Sequence, residues 1–205
     1  MIALMEAAPA FTRLDPDGRR RQILEAARRS FADHPYGSVS VEAVAREAGV
    51  TRGLIHHYFG TKRELFRELI RSLADVAPSL VRIDLELSVE QAFEANADAW
   101  LDFIAEHREL ALTIGATAVY REDPQLQRIV DDAREEIVDR LLGERASSAP
   151  PQARFVIRAY LGLVDAAGRE WLHYRRVSRE QVRLLLVTTL LAMMRETLPT
   201  LLATQ

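Results

Sequence analysis

Cysteine is absent from this 205-residue sequence. Without cysteine the chain can form no disulfide framework, no thiolate zinc site and no thiol nucleophile. Such a chain suits a reducing compartment, and we expect the protein to be cytoplasmic. The N-terminus also lacks the basic segment and the long apolar segment of a secretory signal, so residues 1–14 are predicted to form a short mobile arm.

Long hydrophobic runs are scarce as well. The most apolar window, from Leu184 to Met194, is interrupted by Thr188 and Thr189. A helix that crosses a bilayer needs about 20 residues, so we expect no membrane partner. The composition, with 48% hydrophobic and 28% charged residues, is typical of a folded soluble protein and not of a disordered one.

Neither sign of charge is in large excess, since the net charge is −3 at pH 7. The distribution is nevertheless uneven. Residues 1–72 contain 12 Lys and Arg against 9 Asp and Glu, whereas the remaining residues contain 15 against 21. This asymmetry predicts a basic head on an acidic body, and a basic head favours a nucleic-acid partner.

Apolar residues recur with helical spacing in almost every segment, which predicts an all-α protein. Three capping boxes, beginning at Thr61, Ser88 and Ser178, mark predicted helix starts. Asp123, which precedes a proline, marks another. Residues 81–87 are the exception, because apolar and charged residues alternate there as in a strand. Since no second strand is predicted, we interpret this segment as an extended connector or a distorted helix end.

Residues 15–60 contain the pattern of a helix-turn-helix. After a first amphipathic helix, a short second helix follows Ser40 and ends at Gly49, and a short third helix follows Thr51 and ends at Gly60. Two short helices that meet at a three-residue turn with a glycine are typical of this motif. The second helix of such a pair places its N-terminal residues in the major groove of DNA.

Several polar residues of this motif are suited to DNA contacts. Arg52 can donate two hydrogen bonds to a guanine, and Gly53 allows the backbone to approach closely. Lys62 begins a fourth helix, predicted to run to about Pro78, whose free N–H groups favour a phosphate. The candidate DNA-binding residues are Ser40, Thr51, Arg52, Gly53, His56, His57, Tyr58, Thr61 and Lys62.

The adjacent histidines His56 and His57 raise the question of a metal site. Neighbouring residues on a helix point about 100° apart, whereas chelation by one helix needs residues four positions apart. We therefore interpret both histidines as part of a docking surface. No metal, no cofactor and no catalytic residue is predicted from the sequence.

The segments ILEAARRSF and SVEAVAREAGVTRGLIHHYFGTKREL resemble the N-terminal DNA-binding domain of the TetR family of transcriptional regulators. The resemblance covers about the first third of the chain. It implies a homodimer that binds a pseudo-palindromic operator as a repressor, with an inducing ligand in the C-terminal domain. It also implies DNA contacts by Thr51, Arg52, Gly53, His57, Tyr58 and Lys62. His56 departs from the family pattern, which commonly has tyrosine there.

The expected architecture is an all-α chain with an N-terminal three-helix helix-turn-helix domain at residues 15–60. A linking fourth helix and a C-terminal helical ligand-binding and dimerisation domain occupy residues 61–205. Residues 182–194 of the last helix are apolar almost all round, and such a helix must be buried on every side. A second copy of the chain, packed through the last two helices, is the simplest cover.

The body contains candidates for a cavity that binds a small, largely apolar effector. Asn96 falls among aromatic residues, where it either orients a ligand or caps a neighbouring backbone group. Asp165 needs a partner for its charge, and we favour an arginine across the dimer over a place in the cavity, because Gly162 and Gly168 would admit a partner helix. The candidate effector-binding residues are Phe93, Asn96, Trp100, Phe103, Ile104, Tyr120, Tyr160 and Trp171.

Two other classes of protein stay open from the residues alone. One is an all-helical ligand-binding protein or enzyme without sequence-specific DNA binding, but the sequence has no paired carboxylates at helical spacing, no nucleophile elbow and no phosphate loop. The other is a non-specific DNA-coating protein, which would usually be far more basic. We therefore predict a regulator and no enzymatic activity.

Overall fold

The computed structural model describes residues 15–32, 34–82, 84, 86–116, 120 and 122–204. Within these residues the chain forms α-helices joined by turns and short 3₁₀ and π segments, and it forms no strand. The predicted all-α class is therefore confirmed. The N-terminal arm predicted at residues 1–14 lies outside the described residues.

In the described residues the head is formed by one longer helix, α1 (Pro16–Ala32), and two short ones, α2 (Val41–Glu47) and α3 (Arg52–Phe59). Helices as short as α2 and α3 are marginal alone, so both depend on packing. Their apolar sides meet α1 and the following helix in one core. At its centre the rings of Phe31 and Phe66 lie edge to face with centroids 5.1 Å apart.

The turn between α2 and α3 is closed by backbone hydrogen bonds. Gly49 has a φ of 63°, which favours glycine. Its N–H donates to Arg46, and the N–H of Val50 donates to the carbonyl of Ala45 five residues back. This pair of bonds satisfies carbonyls at the end of α2 and redirects the chain into α3. Four residues separate the two helices, one more than predicted.

The helix α4 (Lys62–Ala74) leads out of the head and begins with the predicted capping box. The hydroxyl of Thr61 accepts from the N–H of Glu64, and the Glu64 carboxylate accepts from the N–H of Thr61. The helix ends before Pro78, and a 3₁₀ segment (Ala77–Leu80) follows. The described residues of the alternating stretch 81–87 are neither helix nor strand, and its residues 83 and 85 lie outside the described part.

Within the described residues, six further α-helices build the body. The two capping boxes predicted at Ser88 and Ser178 are present, and Asp123 accepts hydrogen bonds at the start of its helix. The helices are α5 (Val89–Glu106), α6 (Arg108–Ala116), α7 (Pro124–Leu142), α8 (Pro151–Leu172), α9 (Arg179–Ala192) and α10 (Leu198–Ala203), and a π segment (Met193–Thr197) joins the last two.

The helix α9 is buried on one side only. Val182 and Leu186 lie in the body's core, whereas Leu184 is 60% exposed and Leu185 is 44% exposed. In a single chain the helix is therefore half-buried, and the cover of its outer side by a second copy stays a prediction. Its i, i+4 neighbours on the inner side pack against α5 and α8, whereas the described residues leave Leu184 and Leu185 on the outer side exposed.

The helical segment Arg179–Ala203 is also longer than the apolar window seen in the sequence. Its 25 residues are long and apolar enough to cross a membrane by length and composition, and 17% of its most apolar window is buried. The length argument against a membrane is therefore wrong. Helices of soluble proteins meet the same two criteria, so this observation by itself is weak evidence for a membrane.

Candidate DNA interface and effector cavity

The start of α3 presents an open polar surface. The side chain of Arg52 is 72% exposed and forms an ion pair with Glu42 of α2, with 2.7 Å between nitrogen and oxygen. At Gly53 an added Cβ would meet only the Thr51 hydroxyl, 3.9 Å away. The helix backbone at Gly53 is therefore accessible, as a close approach to another molecule requires.

Three hydroxyl residues of the predicted interface cap helices. The side-chain oxygens of Ser40, Thr51 and Thr61 accept hydrogen bonds from the backbone N–H groups of residues 43, 54 and 64. Each hydroxyl keeps its own hydrogen, which can still be donated to a phosphate oxygen. All three positions lie at the surface, so capping and DNA contact are compatible.

The two histidines of α3 differ in their surroundings. Both are exposed, but the Nδ1 of His56 is hydrogen-bonded to the carbonyl of Gly60, so this nitrogen donates and helps to close the helix end. His57 lies edge to face with Tyr58, with ring centroids 5.5 Å apart. In the described part of the chain no three His, Asp or Glu side chains are grouped to hold a metal ion.

Lys62, the only lysine of the sequence, is half-buried at the start of α4. Its Nζ lies 4.3 Å from the ring centroid of Tyr36 and donates a hydrogen bond to the Tyr36 carbonyl. Burial lowers the pKa of this amine. To bind a phosphate, the side chain must exchange the carbonyl for the phosphate oxygen, a change at the tip of a flexible chain.

The body encloses a mostly apolar cavity of about 200 Å³. Its wall is built by α4, α5, α6, α7, α8 and α9 together with the 3₁₀ segment. Six of the predicted effector-binding residues line it: Phe93, Asn96, Trp100, Phe103, Ile104 and Tyr160. Tyr120 and Trp171 do not, because Tyr120 packs against the core that the head shares with α6 and α7, and Trp171 packs into the core of the body.

Asn96 and Asp165 line the cavity but are already occupied. Asn96 accepts from the N–H of Arg82 and donates to its carbonyl, so it fixes the connector, as the capping alternative predicted. Asp165 pairs with Arg134 of its own chain at 2.5 Å, so the preferred expectation of an arginine across the dimer is wrong. Gly168 faces Ile104 within the chain, whereas Gly162 is open.

Three more polar groups on the cavity wall lack partners among the described residues. The N–H of Trp100 and the Nδ1 of His107 are buried without a hydrogen bond. The guanidinium of Arg169 forms no ion pair or side-chain hydrogen bond within the described part of the chain. Unpaired polar groups beside an apolar space are the usual features of a ligand pocket.

The cavity and the head are connected by α4. Ile70, Leu73 and Ala74 near the end of this helix line the cavity, and Lys62 begins it. The helix has 13 residues, and at 1.5 Å per residue it spans about 20 Å. A ligand that displaces the end of α4 therefore moves the element that carries the head.

Two family models match the chain. The one described as "Bacterial regulatory proteins, tetR family" matches residues 23–69, and the one described as "Tetracyclin repressor-like, C-terminal domain" matches residues 89–193. The second match alone spans more than half of the chain. The chain belongs to the TetR family. As a TetR-family member it is a soluble, DNA-binding transcriptional regulator, and the enzyme alternative is set aside because this family is non-enzymatic.

The curated relatives of this TetR-family chain include a transcriptional activator and a transcriptional repressor. It is 33% identical over 118 residues to the regulator BetI of Agrobacterium fabrum, a match that spans 50% of the chain and 57% of BetI, less than two thirds of that relative. It is 28% identical over 169 residues to the activator FasR of Mycolicibacterium smegmatis, spanning 80% of the chain and 77% of FasR. It is 31% identical to the repressor AcnR of Corynebacterium diphtheriae, over 61% and 66% of the two chains.

Solved TetR-family structures share the fold. A regulator from Streptomyces coelicolor superposes with a TM-score of 0.78 at 22% identity, covering 92% of this chain and 88% of the other. LfrR of Mycobacterium smegmatis, solved in complex with proflavine, gives a TM-score of 0.60 at 26% identity, covering 85% and 95%. The predicted architecture of a helix-turn-helix head on a helical body is confirmed.

Sequence analysis missed Arg134 and Arg169 on the cavity wall. Both occupy helical positions among apolar wall residues, since Arg134 lies between Val130 and Ile137 and Arg169 lies between Val164 and Leu172. That spacing is the signal that would have found them. Charged residues at such positions are more often at the surface, which is why the sequence favoured aromatic residues instead.

Proposed function

We propose that the protein is a homodimeric repressor that is released from a pseudo-palindromic operator when a small, largely apolar effector enters the cavity of the body. It acts in the cytoplasm, where the operator is. The observation that carries this proposal is the position of α4, which begins in the head beside α3 and ends in the cavity wall.

The DNA-binding part of the proposal rests on the outward surface of α3. Arg52, with its exposed guanidinium, reads a base edge, and Gly53 lets the helix backbone approach the duplex. Ser40, Thr51, Thr61 and Lys62 contact phosphates and set the register. His56, His57 and Tyr58 complete the surface. In a dimer, two copies of α3 occupy half-sites about one helical turn apart, roughly 34–36 Å.

The dimeric part of the proposal rests on the open side of α9 and α8. Leu184 and Leu185 of α9 are exposed, and so is Phe155 of α8, at 61%. Exposed large apolar residues on two helices that pack together mark a candidate interaction surface. The open Gly162 lies on the outside of α8, where a partner helix can approach. A second copy of the chain covers this face. The apolar segment Arg179–Ala203 is then buried in the dimer and not in lipid.

The regulatory part of the proposal is a two-state equilibrium. The effector binds more tightly to the form in which the two heads have the wrong spacing for DNA, and α4 transmits the difference. By linkage the effector weakens DNA binding by the same factor by which DNA weakens effector binding. Equal effector affinity with and without operator, measured by calorimetry, would contradict this mechanism.

The first test is selection from a random or genomic pool of duplexes with the purified full-length protein at near-physiological salt. Enrichment of an inverted repeat supports a dimeric, site-specific regulator and supplies the operator. Retention of DNA without any preferred sequence would indicate binding through phosphates alone and would overturn the proposal. A reporter gene behind the selected operator then separates a repressor from an activator, because a repressor lowers expression when effector is absent.

The dimer surface is tested by the double variant Leu184→Glu, Leu185→Glu. Charges at the centre of an apolar interface are left without partners, so we expect a monomer by light scattering and loss of operator binding. The control is Val89→Glu, since Val89 is 58% exposed at the start of α5 and belongs to neither α8 nor α9. A double variant that stays dimeric would place the interface elsewhere.

A further inference from the structure

The charges on the cavity wall are not balanced. Among the described residues that line the cavity, the charged side chains are Arg134, Asp165 and Arg169. Asp165 already neutralises Arg134 at 2.5 Å. Arg169 is left without an anion, so the wall carries a net positive charge beside a mostly apolar space. A guanidinium cannot lose its charge in a protein, because its pKa is too high.

The unpaired hydrogen-bonding groups point to the same ligand chemistry. The guanidinium of Arg169 and the indole N–H of Trp100 can only donate. The Nδ1 of His107, on a side chain 7% exposed, is also buried without a partner and can donate in one tautomer. The amide of Asn96 is satisfied by the backbone of Arg82, and the Tyr160 hydroxyl can donate or accept. The unmet need on this wall is therefore for hydrogen-bond acceptors.

From these two observations we propose that the effector is an anionic amphiphile, a monocarboxylate with a slender apolar chain. The carboxylate binds Arg169, and the chain fills the apolar space between Phe93, Trp100 and Ile104. The cavity, at about 200 Å³, is smaller than the roughly 300–1,000 Å³ of common ligand pockets, which favours a chain over a fused ring system. This inference rests on the proposed function, since it names the ligand class of the same cavity.

The pair formed by Arg134 and Asp165 sets the selectivity. A cationic ligand would have to take Asp165 away from Arg134 and would be repelled by Arg169. A carboxylate meets no such competition, because Arg169 is free to form charge-assisted hydrogen bonds with it. A neutral alcohol of the same length gains the apolar contacts only. Arg169 and the ion pair between Arg134 and Asp165 therefore give anionic, neutral and cationic ligands different affinities.

The inference is tested by calorimetric titration of the full-length protein, without DNA, with octanoate, octan-1-ol and octylammonium. Octanoate is expected to bind at least about tenfold more tightly than octan-1-ol, the factor that one hydrogen bond to a charged group supplies. Octylammonium is expected to bind more weakly than both. Equal or tighter binding of octan-1-ol or octylammonium would overturn the inference, and so would the absence of saturable octanoate binding.

Two variants move octanoate affinity in opposite directions. Arg169→Gln is expected to lower it about tenfold and to leave octan-1-ol unchanged. Asp165→Asn removes the one carboxylate among the described lining residues and is expected to raise octanoate affinity. The matched control, Arg145→Gln, removes an exposed arginine that is not among the lining residues and leaves both affinities unchanged. If Arg169→Gln binds octanoate as tightly as the parent protein, Arg169 is not the anion site and the inference fails.

The DNA readout is kept separate from the ligand readout. If octanoate binds but leaves operator affinity unchanged, the proposed release mechanism fails and the ligand class stands. If octylammonium or octan-1-ol releases the operator and octanoate does not, the release mechanism stands and the ligand class is wrong.

Discussion

The carboxylate of Asp123 accepts a hydrogen bond of 2.8 Å from the Nε of Arg67, although its side chain is only 1% exposed. Arg67 belongs to α4 and Asp123 is the N-cap of α7, so this bond joins the helix that leaves the head to a wall of the cavity. The same carboxylate accepts from the N–H groups of Gln125 and Leu126. One buried group thus caps a helix and fixes the boundary between head and body.

Asp123→Ala is predicted to lower the free energy of unfolding by about 3 kcal/mol, because it leaves Arg67 with a partly buried unpaired charge and removes a helix cap. The measurement is urea unfolding followed by circular dichroism. Arg71→Ala is the control on the same helix, because it breaks an exposed ion pair with Glu68 and should cost about 0–1 kcal/mol. Equal losses in the two variants would contradict a special role for the buried pair.

His107 is predicted to make stability depend on pH. Burial lowers the pKa of its imidazole and outweighs Glu106, which raises it. The unfolded histidine takes up a proton near its ordinary pKa of about 6.5, whereas the folded one resists it, so stability falls as the pH drops below about 6.5 toward the folded pKa.

The check is the unfolding free energy measured across this window. The variant His107→Gln should lose this part of the slope, while His34→Gln, which alters an exposed histidine, should retain it. An unchanged slope in His107→Gln would assign the pH dependence to another group.

Gly53 and Gly60 are predicted to separate DNA binding from folding. Gly53→Ala should leave the melting temperature unchanged or slightly higher, because an added Cβ meets open space and alanine favours a helix. It should weaken operator binding, because the methyl group keeps the backbone from the duplex.

Gly60→Ala should instead destabilise the protein, since Gly60 has a φ of 74° and an added Cβ would overlap the Glu64 carboxylate. Thermal melting and a fluorescence binding assay on each variant decide the matter. An alanine at position 53 that binds the operator as tightly as glycine would move the DNA surface away from the start of α3.

Arg52 and Lys62 are predicted to contribute differently to DNA recognition. Arg52→Ala should relax base preference at one position of each half-site by about 1–3 kcal/mol, whereas Lys62→Ala should weaken all DNA about equally and reduce the salt slope by about 1. Glu42→Gln should raise DNA affinity, because it removes the carboxylate that holds Arg52. Competition titrations with mutated operators at several salt concentrations measure these effects.

The single lysine offers an independent check of the phosphate role. Lys62 carries the only side-chain amine in the sequence. Reductive methylation of the protein therefore modifies only Lys62 and the N-terminal amine. Operator DNA should protect Lys62 from the reagent.

Loss of affinity without a change in base preference in both Arg52→Ala and Lys62→Ala would show that the assigned division of roles is wrong.

Local chemistry was sufficient to predict most of the fold. The capping boxes at Thr61, Ser88 and Ser178, the left-handed Gly49 and the N-cap Asp123 all involve residues within a few positions of one another. Such contacts depend on local spacing, so the sequence alone indicates where they can form. The helix-turn-helix was recognisable for the same reason.

Tertiary packing decided which partners the polar side chains on the cavity wall have. Asp165 and Arg134 are 31 residues apart in the sequence. Helical periodicity relates only residues within one helix, so only the packing of α7 against α8 brings this pair together. The backbone of Arg82 satisfies Asn96 across 14 residues, which turned a candidate ligand contact into a structural one. Likewise the exposed side of α9 became visible only once its inner side was packed. A side chain's partner across the fold depends on where two helices meet, and that is set by the whole core and not by the spacing within either helix.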